Sequence, residues 1–399
     1  MNSIKVFLVA GARPNFMKIA PMMRALRAKN QELGAEGLTS KIVHTGQHYD
    51  YEMSQAFFED LHLPRPDFFL NAGSGTQAEQ TGKIMTAFEK VCLEEKPDLV
   101  VVVGDVNSTL ACTITAKKLQ LRVAHVEAGL RSFDMAMPEE INRIVTDSIS
   151  DTFFVTEKSG VDNLLKEGKP QDRIFFVGHV MIDNLLYQLE ILDRTEPDTF
   201  AVNALKERLG RYLFLTLHRP SNVDSKERLQ ELAETLDHIS AEIPILFPAH
   251  PRTRKMLDTF HIKLGKAIHV IQPLGFMEAL FAWKDAEAVM TDSGGLQAET
   301  TALGVPCLTL RENTEQPVTV ELGTNRLVGN RRQGILEGLS EVLANGSVGA
   351  VIPPMWDGKA AERIVDVLAT IAARGEGGPK CAGKNRREAA GVSPARDRE

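Results

Sequence analysis

Ionisable side chains in this sequence gather at the ends of apolar runs, where an α/β protein exposes reactive groups. Asp105 closes VVVVG, Glu127 closes RVAHV, and Glu139 stands beside Pro138 at the head of PEEINRIVTDSIS. Two carboxylates held close in a partly dry cleft have their acidities pushed apart, so one can serve as acid while another serves as base. Carboxylates that only cap loops are the alternative for Asp105 and Glu127. Glu139, Arg143 and Asp147 recur at four-residue spacing on one helical face, with Ile141, Ile144, Val145 and Ile149 expected on the buried face. That spacing suits a surface ion-pair ladder as well as a catalytic set, and acids at a helix start are favoured by the macrodipole in any case. His218 and Arg219 follow RYLFLTL, and His250 follows IPILFPA. Histidines so placed can shuttle protons or bind phosphate; a loop-ordering hydrogen bond is the alternative for His250. The sequence has no HExxH or other close ligand pair, so no metal is expected.

A second group of residues suits an anion. GARPNFMK sets Arg13 and Lys18 around the first strand-to-helix turn, where free amides already favour negative charge. Their alternative is a pair of solvated surface charges. MTDSGGLQAET leaves a strand and enters a helix through Ser293, Gly294 and Gly295, small residues that let a phosphate approach the amides closely. Glu299 lies further into that helix, placed either to take a ribose diol or to act as a cap or surface charge. Neither GxxxxGK[ST] nor GxGxxG occurs, so ATP hydrolysis and NAD binding are unsupported.

Short, nearly continuous apolar runs position these groups. Ile4 to Ala10, Lys41 to Thr45, Leu99 to Val103, Arg122 to Val126, Thr152 to Val155 and Arg173 to Val177 form one series; most are separated by helical patterns. After the polar stretch Asp193 to Asp198 come Tyr212 to Thr216, Ile243 to Phe247, His269 to Ile271, Ala286 to Met290 and Pro306 to Leu310. Continuous rather than alternating hydrophobicity implies strands covered on both faces, hence an α/β fold of two Rossmann-like doubly wound domains with a central cleft. The expected division is 1–180, 181–358, a closing helix over 359–373 and a disordered tail over 374–399. At 399 residues two domains are the natural size. A net charge of -7 argues against nucleic acid as a partner. Four scattered cysteines suggest reduced thiols, and the absence of a long apolar stretch argues against a leader or membrane span, so a cytoplasmic enzyme is expected.

Taken in order, GARPNFMKIAP, TGQH, VVGDVNSTLA, HVEAGLRS, MPEEINR, TLHRPSNVD, PAHPRT, QPLGFMEAL, TDSGGLQAE and GVPCLTLRENTEQP through RLVG resemble the non-hydrolysing UDP-N-acetylglucosamine 2-epimerase family. The likeness runs from Gly11 to about Gly329. It implies a glycosyltransferase-B-like fold, a homodimer, and a final helix packed back on the first domain. It also implies reversible inversion at C2 of a UDP-sugar, by elimination of UDP to a 2-acetamidoglucal and re-addition, with no cofactor. Residue by residue, it places Asp105, Glu127 and Glu139 in the acid/base set with Arg143 and His218 beside them. Arg13, Lys18, His250, Ser293, Gly294, Gly295 and Glu299 fall on the UDP side. A hydrolysing 2-epimerase, an epimerase of a modified UDP-acetamido sugar such as a 2,3-diacetamido uronate, a glycosyltransferase and a silent binding module are the competing readings. The sequence departs from the family pattern in three places: Asn15 in place of a glutamate, Tyr49 and Asp50 after TGQH where an activating second substrate contacts bacterial members, and Gln316 where arginine is frequent.

Overall fold

The computed structural model describes residues 4–34, 37–46, 58, 61–347 and 349–373; His48, Tyr49, Asp50 and the 374–399 tail lie outside the described residues. One sheet holds β1 (Ile4–Ala10), β2 (Leu38–His44), β3 (Phe68–Phe69), β4 (Leu99–Val103), β5 (Arg122–Val126), β6 (Thr152–Val155) and β7 (Ile174–Phe176). These pair in parallel in the order β3-β2-β1-β4-β5-β6-β7. A second parallel sheet holds β8 (Leu213–Thr216), β9 (Ile245–Pro248), β10 (Ile268–Ile271), β11 (Ala288–Thr291), β12 (Cys307–Thr309) and β13 (Asn325–Leu327), in the order β10-β9-β8-β11-β12-β13. Strand order therefore reverses between β1 and β4 and again between β8 and β11. Ligands of such sheets sit beyond the strand carboxyl ends at that reversal.

Burial explains the apolar runs. Every residue of β4 is aliphatic and at most 3% exposed. Along β1, Val6, Leu8 and Ala10 pack into the core on one face, while Phe7 and Val9 pack into another cluster on the opposite face. The second sheet repeats this, with Leu213 and Leu215 on one side and Phe214 on the other. At roughly 1.5–3 kcal/mol per buried aliphatic or aromatic side chain, this burial is the main force that fixes where the polar strand ends emerge.

The chain crosses between the lobes twice. Helix Val180–Leu192 buries Ile182 and Leu185 in the second lobe's core, while its Asn184 takes a hydrogen bond from Arg24 of the first lobe at 3.3 Å. Helix Ala360–Ala373 returns Ala360, Ala361, Ile364, Val365 and Leu368 to the first lobe's core. Asp183 caps that returning helix, accepting the amides of Ala360 at 3.1 Å and Ala361 at 2.6 Å. Among the described residues no helix is long and apolar enough to cross a membrane.

Helix Pro138–Ile149 overturns the expectation made for its faces. Its buried residues are Glu140, Asn142, Arg143, Thr146 and Asp147, whereas Ile141 is 44% exposed. The helix is amphipathic but inverted: its polar side faces inward because nearly every polar group there meets a partner, which removes most of the cost of burial. No ion-pair ladder runs along it. Arg143 pairs with Asp105 and Glu140, Asp147 pairs with His125 and Arg131, and Glu139 is half-buried with no ion-pair partner among the described residues.

Candidate active site

The first lobe's contribution begins at the turn after β1. Asn15 accepts the amides of Gly11 and Ala12, each at 3.0 Å, and donates to the Val103 carbonyl at 3.1 Å, which ties this turn to the end of β4. A glutamate could not make that donation, so the departure at position 15 has a structural use. One helical turn later Lys18, buried, forms an ion pair with Glu127. Arg13 opens helix Arg13–Leu33, and its side chain lies outside the described residues.

Gly104 makes room for this pair. Its φ is 67°, and an added Cβ would stand 2.8 Å from Lys18 Nζ and 3.6 Å from Glu127 Oε2. Glu127 itself has φ 70°, a left-handed backbone that a non-glycine residue adopts only under constraint. Asp105 follows Gly104 and binds Arg143 Nη1 through Oδ2 at 2.5 Å. Burial pushes the Asp105 carboxyl upward; Arg143 and Lys18 pull it down, while Glu127 and Glu315 push it up further, and the net direction is upward. One acid with a raised pKa, paired with an arginine, thus stands beside another paired with a lysine.

A buried network fixes these groups from behind. His125 lies between Asp147 Oδ1 at 2.7 Å and the Gly104 carbonyl at 2.8 Å. Asp147 also accepts the Gly129 amide at 3.0 Å and pairs with Arg131 at 2.8 Å. Glu140 accepts Arg143 and the amides of Ser132 and Phe133. Asn142 donates to the Asp105 carbonyl at 2.8 Å. Sequence reading missed Glu140 and Asn142 because the inverted helix hides which face is inward, and missed His125 because it lies inside the buried strand β5 rather than at its end.

In the second lobe the organiser is Asp292, wholly buried at the end of β11. It accepts the His218 amide at 3.1 and 3.0 Å, the Arg219 amide at 2.8 Å and Asn222 Nδ2 at 3.1 Å, and lies 2.9 Å from His218 Nδ1. Burial would raise its pKa, but the His218 contact and the amides outweigh this and hold it below the usual carboxylate range. His218 Nδ1 is thereby fixed and its Nε2 is left for a ligand. Asp292 sits in a motif the sequence singled out, and its strand-end position was the available signal. His250, 5.8 Å from His218 ring to ring, accepts the Arg252 amide at 3.2 Å and caps helix Pro251–Phe260. The loop-ordering alternative for His250 is thus present in the structure. Burial and the neighbouring His218 hold its pKa below normal.

Ser293 precedes helix Gly294–Leu303 without capping it by its side chain, and its amide is held by Thr291 Oγ1 at 2.9 Å. Glu299, 7% exposed, has no hydrogen-bond partner among the described residues, and burial pushes its pKa up to about 8. It is suited to receive donors from a ligand, as a ribose diol would supply. Glu315, in the loop after β12, is close enough to influence both Asp105 and Arg143 across the cleft. Arg311 and Glu315 were missed although they also follow a strand end, in the quoted string LRENTE.

The structure therefore sets Lys18, Asp105, Glu127 and Arg143 at one sheet's reversal and His218 and Ser293–Gly295 at the other's. It ties Glu139 to neither group. Among the described residues no cluster of metal-type ligands occurs.

Comparison with known proteins bears on what such a cleft does. The family model described as UDP-N-acetylglucosamine 2-epimerase matches residues 31–369. A UDP-N-acetylglucosamine 2-epimerase of Methanocaldococcus jannaschii is 44% identical over 371 residues, which cover 92% of this chain and 99% of that one. A Pseudomonas aeruginosa UDP-2,3-diacetamido-2,3-dideoxy-D-glucuronate 2-epimerase is 39% identical over 375 residues, covering 92% of this chain and all, 100%, of that one. The solved structure of the M. jannaschii enzyme in complex with UDP-GlcNAc and UDP aligns with a TM-score of 0.83 at 44% identity, over 92% of this chain and 100% of that one. Two parallel sheets facing one cleft are the glycosyltransferase-B-like arrangement of these enzymes, and this chain belongs to the UDP-N-acetylglucosamine 2-epimerase family of isomerases.

Proposed function

We propose that the protein interconverts UDP-N-acetylglucosamine and UDP-N-acetylmannosamine by elimination and re-addition of UDP. C2 of the sugar bears no adjacent carbonyl, so its hydrogen becomes acidic only as the C1–oxygen bond to the diphosphate breaks and positive charge grows at C1. A carboxylate takes the C2 proton, the C–H electron pair becomes the C1=C2 bond, and the C1–O pair leaves with UDP. Reversal on the other face delivers a proton to C2 and returns the diphosphate oxygen to C1. Cations and amides that meet the charge on the leaving diphosphate supply most of the assistance.

The observation that carries this reading is the facing of two unlike sites: acids of contrasted environment, Asp105 and Glu127, at one strand reversal, and the helix-start amides of Gly294 and Gly295 with the Asp292-fixed His218 at the other. Glu139, half-buried and unpaired among the described residues, is the remaining member of the acid/base set, and Arg13 and Lys18 serve the anion. Exposed Phe133 at 78%, Met135 at 62% and Ile141 at 44% support a homodimer. The test is product accounting: purified protein given UDP-N-acetylglucosamine should form the manno epimer with no net UDP, and stoichiometric UDP with free N-acetylmannosamine would replace this reading with a hydrolysing one.

A second reading, a modified UDP-acetamido sugar, is favoured by one observation besides the P. aeruginosa relative. Gln316, 7% exposed, has a buried Oε1 with no hydrogen-bond partner among the described residues, an acceptor suited to an additional acetamido N–H. Comparing kcat/KM for the two substrates decides between them.

A further inference from the structure

Gly294 opens its helix with a backbone outside the left-handed region, so no turn demands glycine there; the demand comes from Glu315. A Cβ at position 294 would lie 2.3 Å from Glu315 Oε1 and 3.9 Å from Arg311 Nη1. Arg311 Nη2 holds Glu315 Oε2 at 2.7 Å and Asn313 Oδ1 at 3.3 Å. Its Nη1, however, is buried with no hydrogen-bond partner among the described residues, and the residue is only 7% exposed. Across the carboxylate, Arg219 Nη2 stands 3.9 Å from Glu315 Oε1. Burial would raise the pKa of Glu315, but Arg311 more than offsets this and holds it below the usual range.

A carboxylate is therefore seated over the amino end of a ten-residue helix, where free amides favour an anion, with a guanidinium on either side. A pair serving structure alone would close both arms of the arginine fork on the carboxylate, the geometry that makes such pairs strong. Here one arm closes and the other is stranded next to the glycine. A diphosphate has the additional oxygens that Nη1 lacks.

We propose that Glu315 is the resident anion of the diphosphate cradle: its carboxylate holds Arg311 in place while the site is empty, and an arriving diphosphate displaces it and takes over the guanidinium. Arg311 is thus a substrate-binding residue and Glu315 a positioning residue that competes with substrate. The inference rests on Ser293–Gly295 being the diphosphate site. Because Glu315 also faces Asp105 and Arg143, its displacement changes the charge that the acid set experiences when substrate is bound.

The test is calorimetric titration of the full-length chain with UDP at fixed salt, with uridine as the probe that lacks phosphate. Glu315→Gln removes the competing charge at nearly constant shape and should tighten UDP roughly tenfold. Arg311→Lys keeps the charge but loses the fork and should weaken UDP roughly tenfold. Uridine should be indifferent to both. Unchanged or weaker UDP binding in Glu315→Gln overturns the proposal, as does a parallel change in uridine binding. Should Glu315→Gln fail to fold, Glu315→Asp, which retracts the carboxylate by one methylene, is read by the same criteria. UDP that binds the unaltered chain no better than uridine would instead remove the cradle itself, and the inference with it.

Discussion

Replacing Asp292 with asparagine isolates the step from packing to chemistry, because the change is nearly isosteric and the residue is wholly buried. Oδ2 accepts the Arg219 amide at 2.8 Å, Asn222 Nδ2 at 3.1 Å and the His218 amide at 3.0 Å, while Oδ1 faces His218 Nδ1 at 2.9 Å. An amide has one oxygen to offer, and three donors claim the Oδ2 side. The new NH₂ group therefore falls against His218 Nδ1 and forces that nitrogen to accept, which reverses the tautomer presented at Nε2. Loss of one charge-assisted hydrogen bond should cost about 1.5–3 kcal/mol of stability, partly offset by no longer burying a charge. Reversal of an orienting carboxylate's effect on a catalytic histidine should cost about 10²- to 10⁴-fold in kcat. UDP affinity should stay within roughly threefold, since Asp292 bonds His218, Arg219 and Asn222 rather than the start of helix Gly294–Leu303. Steady-state epimerisation kinetics and UDP calorimetry give both numbers. A kcat within about tenfold of the unaltered protein, or a loss of UDP affinity equal to the loss of kcat, would refute the assigned role.

Other substitutions probe the remaining links. Asp105→Asn and Glu127→Gln should each lower kcat by about 10²- to 10⁴-fold while UDP still binds; near-normal rates in both would remove them from the acid/base set. Glu299→Gln addresses pH. With the pKa of Glu299 raised to about 8 from 4.5, the folded chain keeps a proton that the unfolded chain has lost, so this group erodes stability as pH climbs between those values. The glutamine variant should therefore gain stability over the unaltered protein from pH 5 toward pH 8 in denaturant titrations, and an equal difference at both ends would contradict the assignment. Ile141→Lys should change the stability of the isolated protomer by less than about 0.5 kcal/mol, since Ile141 is 44% exposed. Asn142→Ala, which strands the Asp105 carbonyl, should cost about 1–3 kcal/mol by the same assay.

The layout of the fold was legible because β4 and its neighbours are continuous aliphatic runs, and a parallel sheet buried on both faces leaves that signature directly in sequence. Strands β3 and β13 were not legible: Phe68–Phe69 is only two residues long, and Asn325–Leu327 opens with two polar residues and so forms no apolar run. Strand ends also pointed to Asp105, Glu127, His218 and Ser293, since a residue just past a buried strand has no choice but to face the cleft. Helix Pro138–Ile149 misled for the opposite reason. Periodicity reports that two faces differ, not which one is inside, and here the partners that make the polar face the inner one, Asp105, His125 and Arg131, come from elsewhere in the chain. Asp292 and Glu315 went unassigned because their importance lies in what they touch, backbone amides and a stranded guanidinium, and contacts of that kind leave no spacing pattern.

In the proposed reaction a proton leaves and returns at C2 while UDP departs from and rejoins C1. Incubating the protein with UDP-N-acetylglucosamine in deuterated water and following the sugar by NMR tests it directly. A manno epimer carrying deuterium at C2 should form without accumulation of UDP; a manno epimer that retains its original C2 hydrogen, or no epimer at all, would rule out proton exchange at that carbon.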